Sequence, residues 1–142
     1  MPRSNASAAW EGGLKNGKGS FKAGSGAFAG AYSFPSRFES AGGTNPEELI
    51  AAAHAACFSM ALSAGLEGAG KTPRKIETRA ACTLEKVSAG FKITKMELAV
   101  TGQVDGIDQA GFEKAAEAAK VGCPVSGALK GNVEVTLDAK LE

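Results

Sequence analysis

The sequence predicts one α+β domain, on three observations. Strand-period alternation with turn dipeptides fills the first third, a long apolar helix with clear start signals follows, and alternation then returns with a second helix set into it. No internal repeat, linker or low-complexity tail interrupts 1–142, so the chain is read as a single domain.

Trp10 sits in a short alternating stretch, and Asn16-Gly17 signals a hairpin ahead of a strand over 19–23. Ser25-Gly26 marks a turn, a further strand is expected over 27–34, and a polar loop carrying Arg37 over 35–44. Asn45 can cap a helix, Pro46 suits its first position, and Glu47 and Glu48 complement its positive end. That helix should run to the glycines at 65–70, and its Ala-rich, nearly all-round apolar character says that it is covered on most sides. Ile76, Thr78, Ala80, Cys82 and Leu84 alternate with polar residues. Phe91 and Ile93 continue the pattern, whereas Met96, Leu98 and Val100 carry the opposite parity, so a bulge or bend is expected near Thr94-Lys95. Asp108 can cap a second helix with Phe112, Ala115, Ala116 and Ala119 inward and Gly122 at its end. Cys123-Pro124 starts a short third helix through Leu129, and Val133, Val135, Leu137, Ala139 and Leu141 alternate as a final strand.

Composition narrows the function. Sixteen basic against fifteen acidic residues give a formal charge of +1, which argues against a nucleic-acid or anionic-membrane surface. The chain holds 27 Ala and 19 Gly, so its own core is thin and a tight two-fold homodimer is expected. The apolar run 49–66 approaches a membrane span in length, but His54, Ser59 and Ser63 interrupt it, and a buried central helix is the better reading. A single His and no paired CxxC leave no metal site to expect, and no cofactor is implied. The start lacks a secretory apolar segment, and three cysteines without one fit a reducing, cytoplasmic setting.

The residues able to do chemistry are few. Cys57 lies well inside the long helix, where a cysteine is ordinarily a small buried hydrophobe. Cys123 borders the start of a helix, whose amides favour a thiolate. Cys82 falls on the inward parity of a strand and reads as packing. His54, three residues before Cys57, could make a Cys–His pair for acyl transfer, although no acid stands near to orient it. Arg37 is either a solvated loop charge or a guanidinium that holds a thiolate. Phe34, Phe38, Phe58 and Met60 are read either as core or as the lining of an apolar pocket.

The run GTNPEELIAAAHAACFSMAL over 43–62 resembles the central-helix signature of the OsmC family, the osmotically inducible relatives of the organic hydroperoxide resistance proteins. Trp10-Glu11-Gly12, Arg37-Phe38-Glu39 and Gly122-Cys123-Pro124-Val125-Ser126 extend the resemblance over nearly the whole chain, in the family's order. It implies antiparallel sheets around a long buried central helix in an intertwined homodimer with two active sites at the subunit interface. It also implies a thiol peroxidase for organic hydroperoxides and, less well, hydrogen peroxide, in oxidative and osmotic stress defence. On the matching positions Cys57 is the peroxidatic cysteine, Cys123 resolves it as a Cys57–Cys123 disulfide, Arg37 stabilises the Cys57 thiolate and Glu47 holds Arg37. The reductant is an external dithiol of the kind carried by lipoylated proteins.

Helix geometry adds a tension. Cys57 is about eleven residues into its helix, beyond the reach of the terminal dipole, so its activation rests on a side chain such as Arg37, whereas helix-end logic alone favours Cys123 as the more acidic thiol. Glu47 and Cys57 lie ten residues, about 15 Å, apart on one helix, and one Arg37 touching both in one chain is hard to draw. Each site is therefore expected to take Cys57 and Cys123 from one subunit and Glu47, with Arg37, from the other. The competing functions are a Cys57/His54 hydrolase and a non-enzymatic redox-sensing or small-molecule-binding dimer.

Overall fold

A computed structural model describes residues 1–142. The chain forms two compact units, Met1–Leu49 and Ile50–Glu142.

The first unit is an antiparallel sheet of three strands, β1 (Ala6–Glu11), β2 (Lys18–Ala23) and β3 (Ala29–Tyr32), in that order. Trp10 stands opposite Gly19, which in turn faces Tyr32, and the Trp10 and Tyr32 rings lie 5.5 Å apart. A side chain at Gly19 would collide with both rings, so glycine there is a packing requirement. β3 is shorter than the sequence suggests, and the expected loop after it opens with a helix, α1 (Phe34–Phe38). The cause is local: Ser33 caps the Ser36 amide, Ser36 returns a bond to the Ser33 amide, and Pro35 presets the first turn.

Helix α2 (Pro46–Gly68) starts as expected, with the Glu48 amide donating to Asn45 Oδ1 at 2.8 Å. It passes into the second unit and is the one helix long and apolar enough to cross a membrane by length and composition. It buries one stripe, His54, Phe58, Leu62 and Leu66, at four-residue spacing. Ala52, Ala53, Ala56, Met60 and Ala64 are exposed, so within one chain the helix is covered on a stripe and not on most sides.

β4 (Lys75–Val87) and β5 (Gly90–Gln103) form a long hairpin. Thr83 pairs with Lys95 and Leu84 with Ile93, which leaves Thr94 as the extra residue of the bulge that the parity change predicts. From there Met96, Leu98 and Val100 point into the core. α3 (Gln109–Gly122) is capped by Asp108, whose carboxylate accepts from the Gly111 amide, and Phe112, Ala116 and Ala119 are its buried face. Gly102 on β5 admits the Phe112 ring, where any Cβ would overlap it. α3 ends at Gly122 because Cys123 precedes a proline and takes an extended backbone, φ −67° and ψ 123°. α4 (Pro124–Leu129) follows at once. β6 (Glu134–Leu141) then joins β5 in parallel, so this sheet is mixed and not wholly antiparallel; the two-helix crossover supplies the length that a parallel return needs. Gln109 at the start of α3 closes part of β6's free edge, donating to Ala139 O and accepting from the Leu141 amide, each at 2.8 Å.

A candidate redox site of two thiols

The second unit brings Cys57 and Cys123 together. Cys57 is on the fourth turn of α2, one step round from the buried stripe, and stays half-buried. Cys123 is the junction of α3 and α4 and is 1% exposed. The two sulfurs share a hydrogen bond at 3.0 Å, and both remain thiols. A disulfide needs about 2.05 Å, so roughly 1 Å of closure joins them. Cys82 stands on β4 opposite Met96, partly buried against the core, as its inward parity predicts.

The surroundings of the two sulfurs differ. Cys57 is raised above the usual thiol range by burial and by its hydrogen bond to Cys123, with the Val125 amide acting the other way. Cys123 also suffers burial, but the Cys57 thiol, the Ser126 amide and hydroxyl and the Val125 amide outweigh it and hold this thiol below the usual range. The Cys123 sulfur closes no formal helix-cap bond, yet it lies among the amides that begin α4. Within this unit Cys123 is therefore the more acidic thiol of the pair, as helix-end reasoning predicts.

His54 is fully buried, and its Nε2 lies 2.7 Å from Ser126 Oγ. Its Nδ1 is buried with no hydrogen-bond partner, so neither ring nitrogen bonds Cys57. Burial lowers its pKa and keeps the ring neutral. The geometry of a Cys57/His54 hydrolase, with a base on the nucleophile, is not formed. Ser126 is the site residue that sequence reasoning passed over. Its signal is the spacing Cys123-x-x-Ser126, since the third residue of a helix turns its side chain back towards the cap.

The first unit holds the charged pair. Arg37, at the end of α1, donates from Nε to Glu47 Oε1 at 3.0 Å, and the Glu47 side chain is nearly buried. The guanidinium also stands 5.2 Å from the centre of the Phe38 ring, which meets the Phe34 ring in a tilted pair with centroids 4.9 Å apart. No hydrogen bond or ion pair uses the two terminal nitrogens of Arg37, and Glu47 Oε2 has no partner. The arginine is thus held by its inner nitrogen with its fork free for an anion. Of the bulky apolar residues, Phe58 belongs to the core and Met60 is 76% exposed.

Comparison with known proteins gives a consistent picture. The family model described as OsmC-like protein matches residues 39–138. The chain is 53% identical over 134 residues to the peroxiredoxin OsmC of Escherichia coli, covering 94% of this chain and 92% of that one. Among solved structures, the organic hydroperoxide resistance protein OhrB of Bacillus subtilis superposes with a TM-score of 0.75 at 30% identity, covering 95% of this chain and 97% of that one. An organic hydroperoxide resistance protein OsmC from Legionella pneumophila superposes with a TM-score of 0.78 at 27% identity, covering 96% of each.

Proposed function

The chain belongs to the OsmC-like family, and on that premise we propose that it is a cysteine-based peroxidase that reduces organic hydroperoxides and is recycled by an external dithiol. The observation that carries the reading is the 3.0 Å approach of two free thiols, Cys57 and Cys123. Cys57, half-buried, is the peroxidatic sulfur; Cys123, buried beside it, resolves.

The Cys57 thiolate attacks the terminal peroxide oxygen. The O–O bond breaks, sulfur is oxidised to sulfenic acid, and the departing alkoxide takes a proton and leaves as the alcohol. The Cys123 sulfur then attacks the sulfenic sulfur, an S–S bond forms as the S–O bond breaks, and water leaves with the proton that Cys123 gave up. A dithiol, of which a lipoyl group is the natural example, restores both thiols by exchange. Sulfur carries the electrons throughout.

Cys57 is the less acidic thiol of the pair in its own unit, so it needs a cation to draw its proton off. Arg37, fixed by Glu47 and with its fork unused, suits that task. We assign it to the partner of a homodimer, each site taking the thiols from one chain and Arg37 with Glu47 from the other. The exposed Ala52, Ala53, Ala56 and Met60 on α2 are small or flexible enough for two helices to approach there. Three cysteines kept as thiols suit a reducing compartment, and we place the protein in the cytoplasm.

Peroxide consumption with a dithiol, compared for wild type, Cys57→Ser and Cys123→Ser on cumene hydroperoxide and hydrogen peroxide, tests the reading. The expected result is turnover that vanishes without Cys57, with a trappable sulfenic acid on Cys57 once Cys123 is gone. Turnover that survives loss of Cys57 but not of Cys123 would reverse the two roles, and stoichiometric oxidation without turnover would make the protein a sensor.

A further inference from the structure

The peroxidase scheme leaves one buried titratable group unused: His54, fully enclosed, bonded at Nε2 to Ser126 and bare at Nδ1. We propose that His54 and Ser126 are positioning residues for the resolving sulfur, forming a hydrogen-bond chain from His54 Nε2–H to Ser126 Oγ and from Ser126 O–H to Cys123 Sγ.

The direction of the chain follows from what is left unpaired. A neutral imidazole has one N–H, and a buried N–H without an acceptor costs more than a lone pair without a donor. Since Nδ1 has no partner, the tautomer with the proton on Nε2 is favoured, and Nε2 donates to Ser126 Oγ. That fills an acceptor position on the hydroxyl and leaves its single proton to be donated elsewhere. The acceptor we assign is the Cys123 sulfur, at the cap of the helix of which Ser126 is the third residue, and the Ser126 hydroxyl and amide both favour its thiolate. The opposite tautomer would draw the Ser126 proton to the ring and leave Cys123 with amides alone. His54 is on α2 and Ser126 on α4, so the chain also ties the helix bearing Cys57 to the turn bearing Cys123. No proton enters or leaves the network during the reaction. Cys123 attacks as a thiolate, and the proton it gave up leaves with the sulfenic oxygen as water.

The inference rests on Cys123 being the resolving thiol, and the experiment separates the two. In a Cys57→Ser background without peroxide, the alkylation rate of Cys123 at one fixed pH reports its thiolate alone. We expect Ser126→Ala and His54→Leu to slow it about tenfold, the scale of one hydrogen bond to a charged group. Ser126→Thr, which keeps the hydroxyl, and His54→Gln, which keeps an N–H near the Nε2 position, should restore most of it. With Cys57 present, single-turnover mixing should show sulfenic acid appearing within about twofold of the wild-type rate and the disulfide forming about tenfold more slowly. Alkylation unchanged in both loss variants overturns the proposal. So does an equal fall with the Thr and Gln replacements, which would mean that the pair matters only for packing. Turnover that does not need Cys123 would instead sink its resolving role, while the alkylation result still decides whether the chain of hydrogen bonds acts on that sulfur.

Discussion

The whole buried apolar cluster, from Ala51 to Ala139, lies in the second unit, whereas the first forty-nine residues bury only Ala23 among apolar side chains. Every residue of β1 is exposed, and Trp10, Leu14 and Phe28 of the first unit show much of their surface. The contrast extends to chemistry: the sulfurs sit where packing is dense, and the guanidinium sits where it is thin. A unit of that size with so little core cannot hold itself by burial alone. If the homodimer proposed above also covers this unit, assembly and completion of the site become one event.

The largest expected difference between the units is in stability. Phe58 is fully buried within the apolar cluster of the second unit, so Phe58→Ala should cost about 3–5 kcal/mol. Phe21 is half-buried, with the Phe28 and Tyr32 rings 6.3 and 6.0 Å away, and Phe21→Ala should cost about 0.5–1.5 kcal/mol. Denaturant melts at equal protein concentration make the comparison. Equal losses would break it, and would mean that the first unit is covered in solution as well as the second is in one chain.

The next effect is on activity. If Arg37 draws the proton from a partner's Cys57, Arg37→Ala should lower kcat/KM for cumene hydroperoxide by about a hundredfold, or ~2.7 kcal/mol. A mixture of Arg37→Ala and Cys57→Ser chains, denatured and refolded together, should regain activity, because half of the heterodimers' sites are then intact. Failure of the mixture to recover anything would place both groups in one chain's site.

The same contrast governs what the sequence discloses. Caps and parities act over a few residues, so Asn45, Asp108 and the Thr94 bulge are legible in the chain alone. Helix α1 is not legible in the sequence, because its signal is two serines bonding each other's amides across a proline, which in composition looks like a loop. The parallel placement of β6 is set by the path of α3 and α4, and no feature of its own alternation reports it. The candidate sulfurs and Arg37 were legible through the family's motifs. The hydrogen bond between His54 and Ser126 spans seventy-two positions, and only the folded helices disclose it.

The smallest effect concerns His54, and its sign follows from burial. The folded-state pKa of this ring lies below the ordinary value near 6.5, so the native protein binds fewer protons than the unfolded chain wherever the unfolded ring is charged. The ring's contribution to stability is intact above about pH 6.5 and is lost as pH falls from there towards the depressed value, by at most ~1.4 kcal/mol per pH unit. The chain has no other histidine, so His54→Gln should flatten the stability curve between roughly pH 6.5 and 5, before the carboxylates titrate. Melting temperatures of the two proteins across that window are the measurement. Parallel curves would mean that the ring is hydrated or charged in the native state, and a charged ring would donate from both nitrogens and would no longer need the single tautomer that orients Ser126 towards Cys123.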